Sequence, residues 1–98
     1  MRQNIVVSYD VNTQDIKGAR RLRRMAKMCK NYGQRVQYSV FECSVTDVDF
    51  VRFRHKLVEI IDPEVDSLRI YHLIGKREDR VESYGVDKYI DFDDALVV

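Results

Sequence analysis

An apolar run that closes on an acid, two later segments whose apolar residues recur every three or four positions, and connections too short to hold a further domain predict one fold class. It is α+β: a ferredoxin-like βαββαβ-type domain, with an antiparallel sheet carrying two helices on one face. The ferredoxin-like domain spans residues 1–85, and residues 86–98 form a C-terminal acidic and apolar tail that docks on a partner. Ninety-eight residues with 45% apolar content suit a single modest core.

The first strand, Asn4 to Val11, organises the rest. Ile5, Val6 and Val7 are β-branched and fit a pleated buried surface, while Asn12, Thr13 and Gln14 supply the turn chemistry that ends the strand. Ile5, Val7 and Tyr9 alternate with Val6, Ser8 and Asp10, so both faces are largely apolar until the Asp10 carboxylate arrives. Asp10 reads either as a turn cap or as a functional acid, because aspartate is a preferred turn residue.

From Asp15 to Tyr32, the residues Ile16, Ala19, Leu22, Met25, Ala26, Cys29 and Tyr32 form a single helical stripe. Gly33 falls where a C-terminal cap belongs, and Lys27 and Lys30 lie in the last turns, where the helix dipole favours cations. Off the stripe, Arg20, Arg24 and Lys27 share one flank, which Arg23 and Lys30 extend. Seven cations stand between residues 17 and 30 without one acid. That face is either solubilising or a phosphate-binding surface. The net charge of +1 conceals this division, since residues 1–35 carry a balance of +7 and the remainder −6. Such asymmetry points to a polyanion partner for the first part and a protein partner for the acidic end.

Arg35 to Cys43 alternates as a second strand, with Val36, Tyr38 and Val40 on one side and Gln37, Ser39, Phe41 and Cys43 on the other. Thr46 and Asp49 then form a capping-box-like pair that opens a second helix, whose buried stripe is Phe50, Phe53, Leu57, Ile60 and Ile61. Asp62-Pro63 ends it, because the residue before proline avoids the α region. His55 falls on the solvent flank. Ser67 to Ile74 is the third strand, in which His72 reads as a half-buried residue rather than a ligand. After a polar turn from Gly75 to Asp79, Arg80 to Tyr84 is a weaker strand.

Several function classes are disfavoured. No run of 18 apolar residues spans a membrane, and the N-terminus lacks signal-peptide regions, so a cytoplasmic location is expected. Cys29 and Cys43 have neither C-x-x-C spacing nor histidine neighbours; they read as small buried hydrophobes rather than zinc ligands or a disulfide. Four glycines and no Gly-rich loop give little support to a small-ligand regulatory domain.

Two helices cover only one face of the sheet, yet the first two strands are apolar on both. A second copy packed sheet to sheet about a two-fold axis is the simplest cover, and the weak strand at 80–84 could be exchanged between the two copies. A hard octahedral cation usually takes one or two carboxylates plus waters and phosphate oxygens, a requirement that two facing Asp10 side chains meet. Mg²⁺ is the expected ion, with Mn²⁺ as the other candidate. Asp15 opens the first helix, where its carboxylate serves the N-terminal N–H groups; this leaves Asp10, with Glu42 as its rival.

The stretches V-S-Y-D-V (7–11), G-A-R-R-L-R-R-M-A (18–26), Y-G-Q-R-V-Q-Y-S-V-F-E-C (32–43) and I-D-P-E-V-D-S-L-R-I-Y (61–71) resemble the small CRISPR-associated endonuclease family. That family supplies the smaller of the two proteins used to acquire spacers in this antiviral defence. The resemblance implies a ferredoxin-like homodimer with its first-strand aspartates at the interface, a metal-dependent nuclease acting on RNA or double-stranded DNA, and assembly with the family's integrase. By motif, Tyr9 and Asp10 take the places of the strand-end Tyr and metal-site Asp. Arg35 and Phe41 take those of the second-strand Arg and Phe, with Ser39 in the same motif.

Two readings follow. In one the protein is an Mg²⁺-dependent hydrolase in which Asp10 holds the ion, Tyr9 shares the catalytic site, and Arg20, Arg24, Lys27 and Arg35 bind nucleic acid. In the other it is a structural adaptor that bridges integrase dimers and holds DNA. In both, Ile90, Phe92 and Leu96 of the tail dock on the integrase by strand addition.

Overall fold

The computed structural model describes residues 2–91. In chain order these form β1 (Arg2–Asp10), α1 (Ile16–Lys30), β2 (Gly33–Gln37), β3 (Val40–Thr46), α2 (Asp47–Ile60), β4 (Ser67–Leu73) and a 3-10 turn at Arg77–Asp79. The sheet runs β2-β3-β1-β4 with every neighbour antiparallel, so the predicted βαββαβ fold is present and β1 lies inside it. Ile5, Val7 and Tyr9 of β1, Phe41, Cys43 and Val45 of β3, Met25 and Cys29 of α1, and Phe50, Phe53, Leu57 and Ile60 of α2 make one buried core. Alternation thus turns the odd-numbered residues of both central strands towards the helices. Val6, Ser8 and Asp10 face the other way, as do Val40 and Glu42.

The second strand differs from its sequence reading. What alternates as one run from Arg35 to Cys43 is a hairpin: β2 ends at Gln37, Tyr38 and Ser39 turn, and β3 begins at Val40. The turn carries no glycine and no residue at positive φ, so its sequence lacks the usual hairpin signature. A bulge between Arg35 and Gln37 shifts the register, and the Ser39 carbonyl accepts a 3.2 Å hydrogen bond from the Tyr9 N–H.

Gly33 is the first residue of β2 and not a helix cap. The cap is Asn31, in right-handed geometry, whose N–H bonds the carbonyls of Met28 and Cys29. Gly33 is needed for close approach: a Cβ there would collide with the Cys43 side chain and the Glu42 carbonyl across the ladder. At the other end of α1, the Asp15 carboxylate accepts a 2.8 Å bond from the Gly18 N–H. Ile16, expected on the buried stripe, is 70% exposed because it begins the helix beyond the sheet's cover. In α2 the Thr46 hydroxyl accepts from the Asp49 N–H at 3.1 Å, as the capping pair predicts.

No strand forms at 80–84 among the described residues. The chain leaves β4, turns at Gly75 with φ of 90°, and crosses the open sheet face as an irregular arm. Arg77 holds the arm through a bidentate pair with Glu42 (2.5 and 3.1 Å), and its guanidinium lies on the Tyr89 ring. At the far end the Gln34 side-chain amide bonds both the carbonyl (2.7 Å) and the N–H (2.9 Å) of Ile90. Phe92 and Leu96 lie outside the described residues. His72 is more exposed than expected, resting edge-on against Phe50 at 5.2 Å, because β4 is an edge strand. No described helix is long and apolar enough to cross a membrane.

Asp66, immediately before β4, joins four elements. Its fully buried carboxylate accepts from Arg21 Nε at 2.7 Å, from the Asn12 N–H at 2.9 Å and from the Asp62 N–H at 2.8 Å. Burial alone pushes this carboxyl up, but the Arg21 hydrogen bonds and the two backbone N–H groups together hold it below the usual carboxylate range. The charged form is therefore favoured in the fold. Its contribution is complete above the unfolded value of about 3.9 and is lost as pH falls through the lowered folded value. Asp66→Ala strands the guanidinium and two buried N–H groups; a fall in Tm on the order of 10 °C at neutral pH, shrinking in acid, is the expected calorimetric result.

Cys29 and Cys43 are free and buried. Burial pushes both thiols up to about 12, with each other's proximity adding for Cys29 and Glu42 adding for Cys43. Neither thiol should react with Ellman's reagent at pH 8 until denaturant is added.

Candidate functional site

The end of β1 divides its side chains between two environments. Tyr9 turns inward and is 4% exposed, with its ring stacked on Phe41 at 6.2 Å. Arg35 reaches into the same place from β2, its guanidinium 5.2 Å from the centre of the Phe41 ring and 5.8 Å from that of Tyr38. Burial raises the Tyr9 phenol above its ordinary value, against the lowering pull of its hydrogen bond with Arg35. The buried Arg35 Nε has no hydrogen-bond partner among the described residues. Tyr9, Arg35, Ser39 and Phe41, scattered through the sequence motif, thus form one cluster on the helix side, linked by ring packing and by the Tyr9–Ser39 backbone bond.

Asp10 turns outward. It is exposed on the open face, its Cα opposite Ser67, and makes no ion pair among the described residues. Val11 is buried immediately after it, and the Asn12 N–H is tied to Asp66, so the carboxylate sits on a strand fixed on both sides. Glu42 does not approach it. Glu42 pairs with Val6 in the ladder, roughly 13 Å along the strand from Asp10, and is occupied by Arg77.

No three His, Cys, Asp or Glu side chains gather into a metal cluster among the described residues. Among the described residues Asp10 therefore joins no cluster of three such donors. That fits a hard cation completing its shell with waters, phosphate oxygens and a second carboxylate, and does not fit a structural zinc site.

The first helix presents the expected cations. Arg20, Arg24 and Lys27 are exposed and make no ion pair among the described residues, and Arg23 and Lys30 are exposed beside them. Arg21 is set apart from this group by its pair with Asp66. Asp66 itself is absent from the sequence reading; the signal was a second acid four residues beyond the helix-ending Asp62, at a strand start. His55 is exposed and 2.8 Å from Glu59.

These features define a ferredoxin-like protein with a cationic helix on one side of its sheet and, on the other, an exposed strand-end carboxylate with no ion pair among the described residues. The sequence profile of the family described as CRISPR associated protein Cas2 matches residues 3–81. The chain is 48% identical over 94 residues to the CRISPR-associated endoribonuclease Cas2 1 of Moorella thermoacetica, covering 96% of this chain and 98% of that protein. It is 45% identical over 93 residues to the CRISPR-associated endonuclease Cas2 of Halalkalibacterium halodurans, covering 95% and 97%. The crystal structure of Streptococcus pyogenes Cas2 at pH 6.5 superposes with a TM-score of 0.73 at 54% identity, over 84% of this chain and 99% of that one. The chain belongs to the Cas2 family.

The exposed α1 flank gives a direct test. Arg20→Ala combined with Arg24→Ala should weaken double-stranded DNA binding and reduce the slope of log affinity against log salt by about two. Fluorescence anisotropy across a salt series measures both.

Proposed function

We propose that this chain acts in CRISPR adaptation as a metal-dependent endonuclease that hydrolyses phosphodiester bonds of RNA or double-stranded DNA, working as a homodimer with an integrase partner. The observation that carries the reading is Asp10, an exposed acid without an ion pair among the described residues, at the end of a central strand. The names of the related proteins, endoribonuclease and endonuclease, agree with it.

In this reading two copies pack sheet to sheet, and the Asp10 carboxylate of each copy would hold a shared divalent ion. When bound, Mg²⁺, or Mn²⁺ in its place, would supply a water of lowered pKa and stabilise charge on the phosphate. Asp10 is the residue of the open face that would hold the ion. Tyr9, locked between Phe41 and Arg35, fixes the strand end from which Asp10 projects, and Arg35 and Phe41 keep Tyr9 in place. The exposed flank of Arg20, Arg24 and Lys27 binds the nucleic-acid backbone. Hydrolysis adds water across one P–O bond, leaving a phosphate on one product and a hydroxyl on the other. The arm that ends on Gln34 leads into the segment proposed to dock on the integrase.

The adaptor reading is favoured by one observation, that a single chain gathers no cluster of metal-ligating side chains among the described residues. In it the dimer bridges integrase subunits, and its basic helices hold DNA.

Asp10→Asn separates the two. Under the nuclease reading it abolishes cleavage of labelled RNA and duplex DNA, leaves nucleic-acid affinity within about twofold, and leaves a dimer in sedimentation at micromolar concentration. Cleavage at the wild-type rate by purified Asp10→Asn protein would remove the nuclease reading. A monomer for the unmodified chain at that concentration would remove the paired-carboxylate site.

A further inference from the structure

The cations assigned to nucleic acid all lie away from the face that carries Asp10. Arg20, Arg24 and Lys27 belong to α1, which packs on the opposite side of the sheet, and Arg35 is turned under that helix layer against Phe41. A phosphodiester reacting at Asp10 would still present to the open face two non-bridging oxygens that share one negative charge. An ion held by Asp10 would meet part of that charge, and a side-chain cation on the same face would add to it, because phosphoryl transfer depends on neutralising charge at the reacting centre.

The β1–β4 ladder supplies one. Asp10 stands opposite Ser67, and Ser8 stands opposite Arg69. Residues directly opposite share a face, as do residues two apart on one strand, so Asp10, Ser8 and Arg69 all project from the open side. Asp10 and Arg69 are diagonal neighbours, roughly 7–8 Å apart at the backbone, within the reach of an arginine side chain towards a phosphate beside Asp10.

Arg69 also differs in its surroundings from four arginines whose guanidinium groups are engaged within the chain. Arg21 is paired with Asp66 and Arg77 with Glu42; Arg80 bonds the Ile74 carbonyl, and Arg2, at the far end of β1, bonds the Ser44 carbonyl. Arg69 is exposed and takes part in none of the ion pairs among the described residues. Its Nη1 donates to the Tyr71 hydroxyl at 3.0 Å, two residues along the same face. A neutral phenol orients the guanidinium without cancelling its charge, leaving its remaining donors for an anion.

We infer that Arg69, oriented by Tyr71, is the phosphate-binding cation of the Asp10 face, holding the non-bridging oxygens of the phosphodiester on which Asp10 acts. The inference rests on the nuclease reading for its chemistry, and its test is arranged so that the two fail separately.

Arg69→Ala, Arg69→Lys, Tyr71→Phe and Asp10→Asn are compared on the full chain for cleavage with Mg²⁺ and for duplex DNA binding across a salt series. Arg69→Ala is expected to lower kcat/KM by about 100-fold and to make the salt slope shallower by about one, with the Tm nearly unchanged. Arg69→Lys should recover the salt slope and part of the rate, since the charge returns without the fork. Tyr71→Phe keeps the charge and should lose less than tenfold, with its slope intact. Wild-type cleavage and slope in Arg69→Ala, alongside an inactive Asp10→Asn, would overturn the inference while leaving the nuclease reading standing. Equal losses in Tyr71→Phe and Arg69→Ala would reduce the pair to a structural contact. An active Asp10→Asn defeats the nuclease reading; the salt slope of Arg69→Ala then decides alone whether Arg69 meets phosphate.

Discussion

The arrangement depends on one buried carboxylate. Asp66 stands where four elements converge: it accepts from the loop after β1 through Asn12, from α1 through Arg21 and from the end of α2 through Asp62, and it directly precedes β4. A buried anion so placed is stable only with all of its donors, and each donor comes from a different part of the chain. The end of β1 is therefore positioned by charge, while its middle is positioned by packing. Asp10 lies between these two regimes, one residue after buried Tyr9 and two before the tethered Asn12.

Strand alternation accounts for the second division. Tyr9 and Asp10 are adjacent in sequence but lie on opposite sides of a sheet whose one face is filled by the helices. The aromatic cluster and the acid can influence one another through the backbone they share, not by touching. Rigidity at Tyr9, produced by Phe41, Arg35 and the Ser39 carbonyl, becomes positional accuracy at Asp10.

Local pattern was a good guide wherever the deciding forces were local. The β-branched run of β1, the Asp15 and Thr46 caps, the helical stripes and the buried cysteines could all be read from residue type and spacing. The grouping of Tyr9 with Arg35 and Phe41 was legible only through the family motif. Long-range contacts decided the rest. The Tyr38–Ser39 turn has no glycine to mark it, and Gly33 answers to the Cys43 side chain across the ladder rather than to its own helix. Arg21 looks like its basic neighbours until Asp66, distant in sequence, is placed beside it. The segment at 80–84 alternates weakly enough that Arg77 on Glu42 and Gln34 on Ile90 determine its path instead.

The manner in which the arm is fastened leaves the sheet with two unlike borders. Ile90 is gripped by the side-chain amide of Gln34, so the arm lies across the sheet and does not extend it as a further strand. Among the described residues no further strand pairs with the outer side of β2 or β4. Along β2 the outer edge is short and broken by the bulge between Arg35 and Gln37, whereas along β4 it runs from Ser67 to Leu73 beside an unbroken register with β1. Among the described residues the more regular template for an approaching polypeptide is β4, next to the strand that carries Asp10.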